Sequence, residues 1–162
     1  AAQARLVKWL QADVLRGVER PGRLTYFALA GAPKLLAFAG RRLPQLQDSL
    51  DALRLLLAEL SPSQFANAVA HTPLLLITEA NELDARSRWL GSRLNITEDE
   101  LGAGLAAAPR LLATPRTKLE QSLSWFSDRL EISDGRIRRV FSEAPLSLLL
   151  APSTMEARLA LL

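Results

Sequence analysis

Shifted by 36 residues, the chain matches itself without a gap, and this self-similarity constrains its fold more than any other feature. Leu83 falls on Leu119, Trp89 on Trp125, Arg93 on Arg129 and Leu94 on Leu130. At the same offset Ile96, Thr97 and Glu98 fall on Ile132, Ser133 and Asp134, and Ala108, Pro109 and Leu112 on Ala144, Pro145 and Leu148. Looser copies lie upstream. Ala32-Pro33-Lys34-Leu35-Leu36 mirrors Ala108-Pro109-Arg110-Leu111-Leu112, with Thr72-Pro73-Leu74-Leu75-Leu76 between them. The four prolines step by 40, 36 and 36 residues. Periods in this range mark arrays of short units that each bury an apolar face on their neighbours.

The pattern inside each unit is helical. Leu46, Leu50, Leu53, Leu57 and Leu60 step by four, three, four and three, a stripe down one helix face. Leu83, Trp89-Leu90 and Leu94 form a second such stripe, and Leu119, Leu123, Trp125-Phe126 and Leu130 a third. No useful length alternates with period two. Leu (35 residues) and Ala (25) dominate while aromatics are only 6%, which favours packed helices over sheets. The reading is all-α.

Punctuation sets the boundaries. Ser61-Pro62-Ser63-Gln64 and Thr97-Glu98-Asp99-Glu100 read as capping boxes. Ser133-Asp134 repeats the cap without an acceptor at the third helical position. Each cap opens a short helix of about ten residues that ends before Pro73, Pro109 or Pro145, because the residue ahead of proline is pushed out of the α region. The leucines after each proline are too few for another full helix and predict a single 3₁₀ turn. A unit is therefore a long helix, a capped short helix and a Pro-led turn. The expected organisation is one domain over residues 1–162, with units near 1–45, 46–80, 81–116 and 117–152 and a partial one at 153–162.

That unit resembles the repeats of the mitochondrial transcription termination factor (mTERF) family, in which two α-helices and a 3₁₀ helix recur with a proline followed by leucines. The motifs that carry the resemblance are the Ala32, Thr72 and Ala108 segments quoted above and Ala144-Pro145-Leu146-Ser147-Leu148-Leu149. The match spans nearly the whole chain and is clearest from Leu46 to Leu150. It implies an α-solenoid, a curved superhelix whose inner surface holds nucleic acid. It also implies a mitochondrion or chloroplast, and a role in transcription, RNA maturation or the organelle ribosome. It carries over no catalytic residues and no fixed base-reading code.

Net charge is only +3, from 20 basic and 17 acidic residues, but all the basic residues except Lys8, Lys34 and Lys118 are arginine. Arginine grips phosphate bidentately and stacks on bases, although a GC-rich coding sequence produces the same bias. Basic side chains gather where units turn. Lys34 and Arg110 share the post-proline position, and Arg41-Arg42 and Arg116 with Lys118 stand between a Pro-led turn and the next long helix. Arg86 and Arg158 share a position on the long helices, and equivalent positions in stacked repeats form a track suited to phosphates. Arg136, Arg138 and Arg139 suggest a local basic patch on a short helix, for ribosomal RNA or a duplex. Against the turn and long-helix cations stands an ordinary solvated charge, and against the three arginines of the short helix stands pairing with neighbouring carboxylates.

The remaining candidates read as structural. Trp89 and Trp125 hold identical repeat positions beside apolar neighbours and belong to the core rather than to base stacking. Arg93 and Arg129 end long helices, where cations complement the helix dipole. Trp9 and Tyr26 carry no repeat support. His71 is the one histidine and there is no cysteine, which excludes thiol catalysis, thiolate zinc sites and disulfides. Glu98, Asp99 and Glu100 fall in a first helical turn, where free N–H groups favour acids. Gly102-Ala103-Gly104-Leu105-Ala106-Ala107 matches a dinucleotide fingerprint formally, but no strand precedes it.

No catalytic residue, metal or cofactor is expected. The expected partner is nucleic acid, either organelle RNA such as ribosomal RNA or double-stranded DNA, with ribosomal proteins as further partners. A subunit bound to ribosomal RNA and a protein-binding scaffold are the alternatives. The apolar runs fall well below the roughly 18 residues that span a bilayer, which predicts a soluble chain without a membrane partner. The start, Ala1-Ala2-Gln3, reads as processed or truncated.

Overall fold

Two capping boxes form as the residue spacing dictates. Ser61 is extended (φ −61°, ψ 158°), its Oγ accepts from the Gln64 N–H at 3.3 Å, and its own N–H donates to Gln64 Oε1 at 2.9 Å. Thr97 repeats the geometry, accepting from the Glu100 N–H at 3.2 Å and donating its N–H to Glu100 Oε2 at 2.9 Å. Ser133 differs. It stands at the cap position (φ −66°, ψ 154°), but its hydroxyl makes no capping bond. The third helical residue there is Arg136, which has no acceptor to reach back. The Ser133 carbonyl accepts from the Ile137 N–H, as the Ser61 and Thr97 carbonyls accept from Phe65 and Leu101, and also from the Arg136 N–H. Thr97→Ala should therefore cost about 1 kcal/mol. Ser133→Ala should stay within about 0.5 kcal/mol. Urea unfolding of the two variants side by side checks the difference.

The computed structural model describes residues 2–38 and 43–161, which are helical with no strand among them. The chain divides into two compact units, Ala1–Ala85 and Arg86–Leu162. In the first, α1 (Ala2–Trp9) runs into a π turn at Leu10–Val14, followed by α2 (Pro21–Gly31), α3 (Lys34–Phe38), α4 (Leu43–Leu56), α5 (Pro62–His71) and α6 (Leu74–Ile77). Next comes α7 (Ala80–Leu94), whose residues from Arg86 onward belong to the second unit. The second unit continues with α8 (Glu98–Ala107), α9 (Arg110–Ala113), α10 (Arg116–Leu130), α11 (Asp134–Glu143), a 3₁₀ turn at Pro145–Leu149 and α12 (Pro152–Leu159). Among the described residues, no helix is long and apolar enough to cross a membrane.

The stripes form the core. Leu46, Leu50, Leu53 and Leu57 are buried in the first unit, and Leu90, Leu94, Leu119, Leu123 and Phe126 in the second. Leu60 and Leu130 are only half-buried, because each lies at or beyond the end of its helix. The Pro-led segments correct one expectation. Only Pro145–Leu149 is a 3₁₀ turn, whereas α3, α6 and α9 are single α-helical turns. All four open alike, with an N–H two residues past the proline bonded to the carbonyl before it (Leu35 to Ala32, Leu75 to Thr72, Leu111 to Ala108, Ser147 to Ala144). At the last copy the Ser147 hydroxyl also donates to Ala144 O at 2.7 Å, which reinforces the tighter bonding.

A polar hook closes each long helix onto its own Pro-led turn. Ser49 Oγ donates to Thr78 O at 2.7 Å, Arg86 Nη1 to Leu112 O at 2.8 Å and Ser122 Oγ to Leu150 O at 2.9 Å. The three donors occupy one register position on the long helices; Thr78 and Leu150 cap the ends of their turns, whereas Leu112 lies two residues earlier, inside α9. The repeat extends to backbone conformation as well. Asn95 (φ 49°) and Glu131 (φ 53°), 36 residues apart, both end a long helix in the left-handed region.

Candidate nucleic-acid interface

The position after each proline faces solvent in every copy. Lys34 and Arg110 are exposed there, and so are Leu74 (48%) and Leu146 (57%). The local reason is geometric. The second or third residue of the turn packs inward, as Leu35, Leu75, Leu111 and Leu148 do, which leaves the first side chain pointing out. Two copies therefore display a cation and two a leucine.

In the second unit, three predicted contacts come together where α9 passes into α10. Arg110, Arg116 and Lys118 are all exposed. No acidic residue lies between Glu100 and Glu120. Helix α10 begins after Pro115 with no side-chain cap and no acid in its first turn, whereas α8 carries Glu98, Asp99 and Glu100 in its own. A long helix that begins with two cations and no carboxylate is electrostatically open to an anion. Lys118 also edges a cleft of about 200 Å³ formed with Thr114, Gln121 and the Leu148–Pro152 segment. The Arg116 guanidinium lies 5.0 Å from the centroid of the Trp89 ring.

The other predicted cations are more dispersed. Arg86 is half-buried and committed to the Leu112 carbonyl, at the register position that holds buried serines in α4 and α10. Its repeat partner Arg158 is exposed on α12. Helix α11 splits its three arginines, since it buries Ile137 and Phe141 and each residue turns the helix by about 100°. Arg136 and Arg139 therefore share the solvent face, with Arg139 Nε 3.9 Å from Glu143. Arg138 lies at the flank, half-buried, with a buried Nε that has no partner. Arg41 and Arg42 lie outside the described residues.

Residues read as structural also found partners. Arg93 pairs with Glu120 at 3.0 Å and Arg129 with Glu156 at 2.9 Å, so one ion pair recurs 36 residues on, alongside the helix-end placement. Trp89 and Trp125 are half-buried, not core. Each reaches the next helix of its series: Trp89 meets Arg116 at the start of α10, and the Trp125 Nε1–H donates to Glu156 in the middle of α12 at 2.9 Å. An indole needs an outlet for its N–H, which keeps such rings at the margin of a core. His71 is exposed beside Phe27, and no cluster of acidic and histidine side chains suited to a metal occurs among the described residues.

One group stands outside the repeat pattern: Arg20, Arg23, Phe27, Asn67 and His71 line a cleft in the first unit. These residues have no counterparts at the repeat offset. A signal was present nonetheless, because Arg20, Arg23, Lys34, Arg41 and Arg42 follow one another without an acid between Glu19 and Asp48.

Comparison with protein-family models and with curated proteins finds no match to this chain.

Proposed function

We propose that this chain is a non-catalytic repeat protein of mTERF type that binds nucleic acid in an organelle, the mitochondrion in the first instance, and acts in its gene expression. In this reading about four repeats stack as a superhelix, and the exposed cations neutralise phosphates, so most of the affinity is independent of sequence. The observation that carries the reading is the acid-free turn from α9 into α10, with Arg110, Arg116 and Lys118 all exposed around an uncapped helix start. Lys34 and the solvent face of α11, with Arg136 and Arg139, add further cations. The recurring polar hook and the recurring Arg–Glu pair support a stacked array.

A second reading, a scaffold for a protein partner, draws on the exposed Leu74 and Leu146 at the same post-proline position. Capture of the tagged chain from organelle extract, with sequencing of bound RNA and DNA, separates the two. Recovery of ribosomal RNA or of a defined DNA segment supports the proposal. Recovery of protein alone, resistant to nuclease, overturns it.

A further inference from the structure

Helices α2 and α5 pack in the first unit and leave a cleft of about 670 Å³ along their seam, within the range of small-ligand sites. One wall carries Arg20, Arg23 and Phe27, and the other Ser63, Asn67 and His71. Phe27 is 36% exposed and its neighbour Tyr26 69%, an unusual amount of aromatic surface to leave in water on one short helix. The Phe27 and His71 rings lie 5.4 Å apart at 39°, and Tyr26 meets Phe27 edge-on at 6.1 Å. The Arg23 guanidinium hovers 5.7 Å from the Phe27 centroid. Glu19 also lines the cleft, one carboxylate against the two guanidinium groups of Arg20 and Arg23.

We propose that this cleft is a subsite for single-stranded nucleic acid. One unpaired base stacks on Phe27 beside His71, and its flanking phosphates lie against Arg20 and Arg23. The inference rests on the nucleic-acid reading above and adds to it the strand state that the first unit takes. The chemistry decides for a single strand, because only an unstacked base offers its face to an aromatic side chain. The Arg23 guanidinium lies over the ring at cation–π distance and must move aside for a base to take that face. As an exposed side chain with five donors it turns to a phosphate when a base arrives. Asn67, held along α5 by its bond to Ser63 O at 2.9 Å, and Ser63 present polar groups opposite the ring, within reach of a base edge.

The test is fluorescence anisotropy of the whole chain with an oligouridine of about 12 nucleotides and with an RNA duplex of about 12 base pairs. Phe27→Leu should weaken the single-stranded probe about five- to tenfold and leave the duplex unchanged, and Phe27→Trp should restore affinity. Arg20→Gln with Arg23→Gln, both exposed, should also weaken the single strand, which covers the case in which Phe27→Leu disturbs packing. If both sets leave the single strand unaffected while removal of Arg110, Arg116 and Lys118 weakens it, the cleft proposal falls and the nucleic-acid reading stands. If the cleft variants lose affinity and the Arg110, Arg116 and Lys118 variant does not, the cleft stands and the α10 assignment falls. If the unaltered chain binds neither probe, both fall.

Discussion

Gly104→Ala is expected to destabilise the second unit by about 2–3 kcal/mol, although glycine to alanine inside a helix ordinarily stabilises by up to about 1 kcal/mol. A Cβ at Gly104 would lie 2.2 Å from Cε1 and Cζ of Phe141, far inside contact distance. Phe141 is fully buried, so its ring has no solvent-facing rotamer to escape to. Helices α8 and α11 pack where glycine lets a ring lie directly on the backbone, and one added methyl must push them apart. The overpacking exceeds the gain in propensity, which fixes the sign. Phe141→Leu creates room, so Gly104→Ala should be nearly neutral in that background, a non-additivity that a double-mutant cycle by urea unfolding measures. An unchanged or raised midpoint for the single Gly104→Ala variant would show that the two helices do not meet in this way.

Replacing Arg110, Arg116 and Lys118 together by glutamine is expected to lower affinity for RNA or duplex DNA by on the order of a hundredfold at about 0.1 M salt, since three phosphate contacts disappear at once. All three side chains are exposed, so stability should change little, apart from the Arg116 contact with Trp89, worth about 0.5–1 kcal/mol. The control, which removes two cations against three, is Arg54→Gln with Arg129→Gln. Those two cations already face Asp51 and Glu156, and their loss should change affinity only a few-fold. Equal losses per charge removed in the two variants would mean that bulk charge matters and the α9–α10 turn does not. Titration by anisotropy at fixed salt makes the comparison.

Much of the fold was legible because it depends on local chemistry. Leucine spacing located the helices and prolines their ends, and two capping boxes fixed helix starts to the residue. Ser133 stands at its helix start as the spacing places it, but its hydroxyl makes no capping bond, because that bond needs side-chain geometry as well as a hydroxyl. The 3₁₀ expectation failed at three turns out of four because the choice between α and 3₁₀ bonding depends on competing carbonyl partners that sequence does not display. The site was less legible. Arg86 looks like a surface cation in sequence, yet it fills the register position of Ser49 and Ser122 and binds a turn carbonyl as they do. Neither Trp89 nor Trp125 lies where a core reading placed it, because each indole reaches a charged partner on a neighbouring helix. The α2–α5 cleft was invisible to repeat reasoning, since its residues meet only through packing of two helices some 40 residues apart.

Phosphate neutralisation by clustered cations leaves a direct signature in the salt dependence of binding. The logarithm of the affinity of the unaltered chain, plotted against the logarithm of salt concentration from about 50 to 300 mM, should fall on a straight line. Its slope should be about −2 or steeper for a single strand and nearer −3 for a duplex, as expected for three or more phosphate contacts. Affinity that does not change with salt, or no binding at the lowest salt, would contradict nucleic-acid recognition through these side chains.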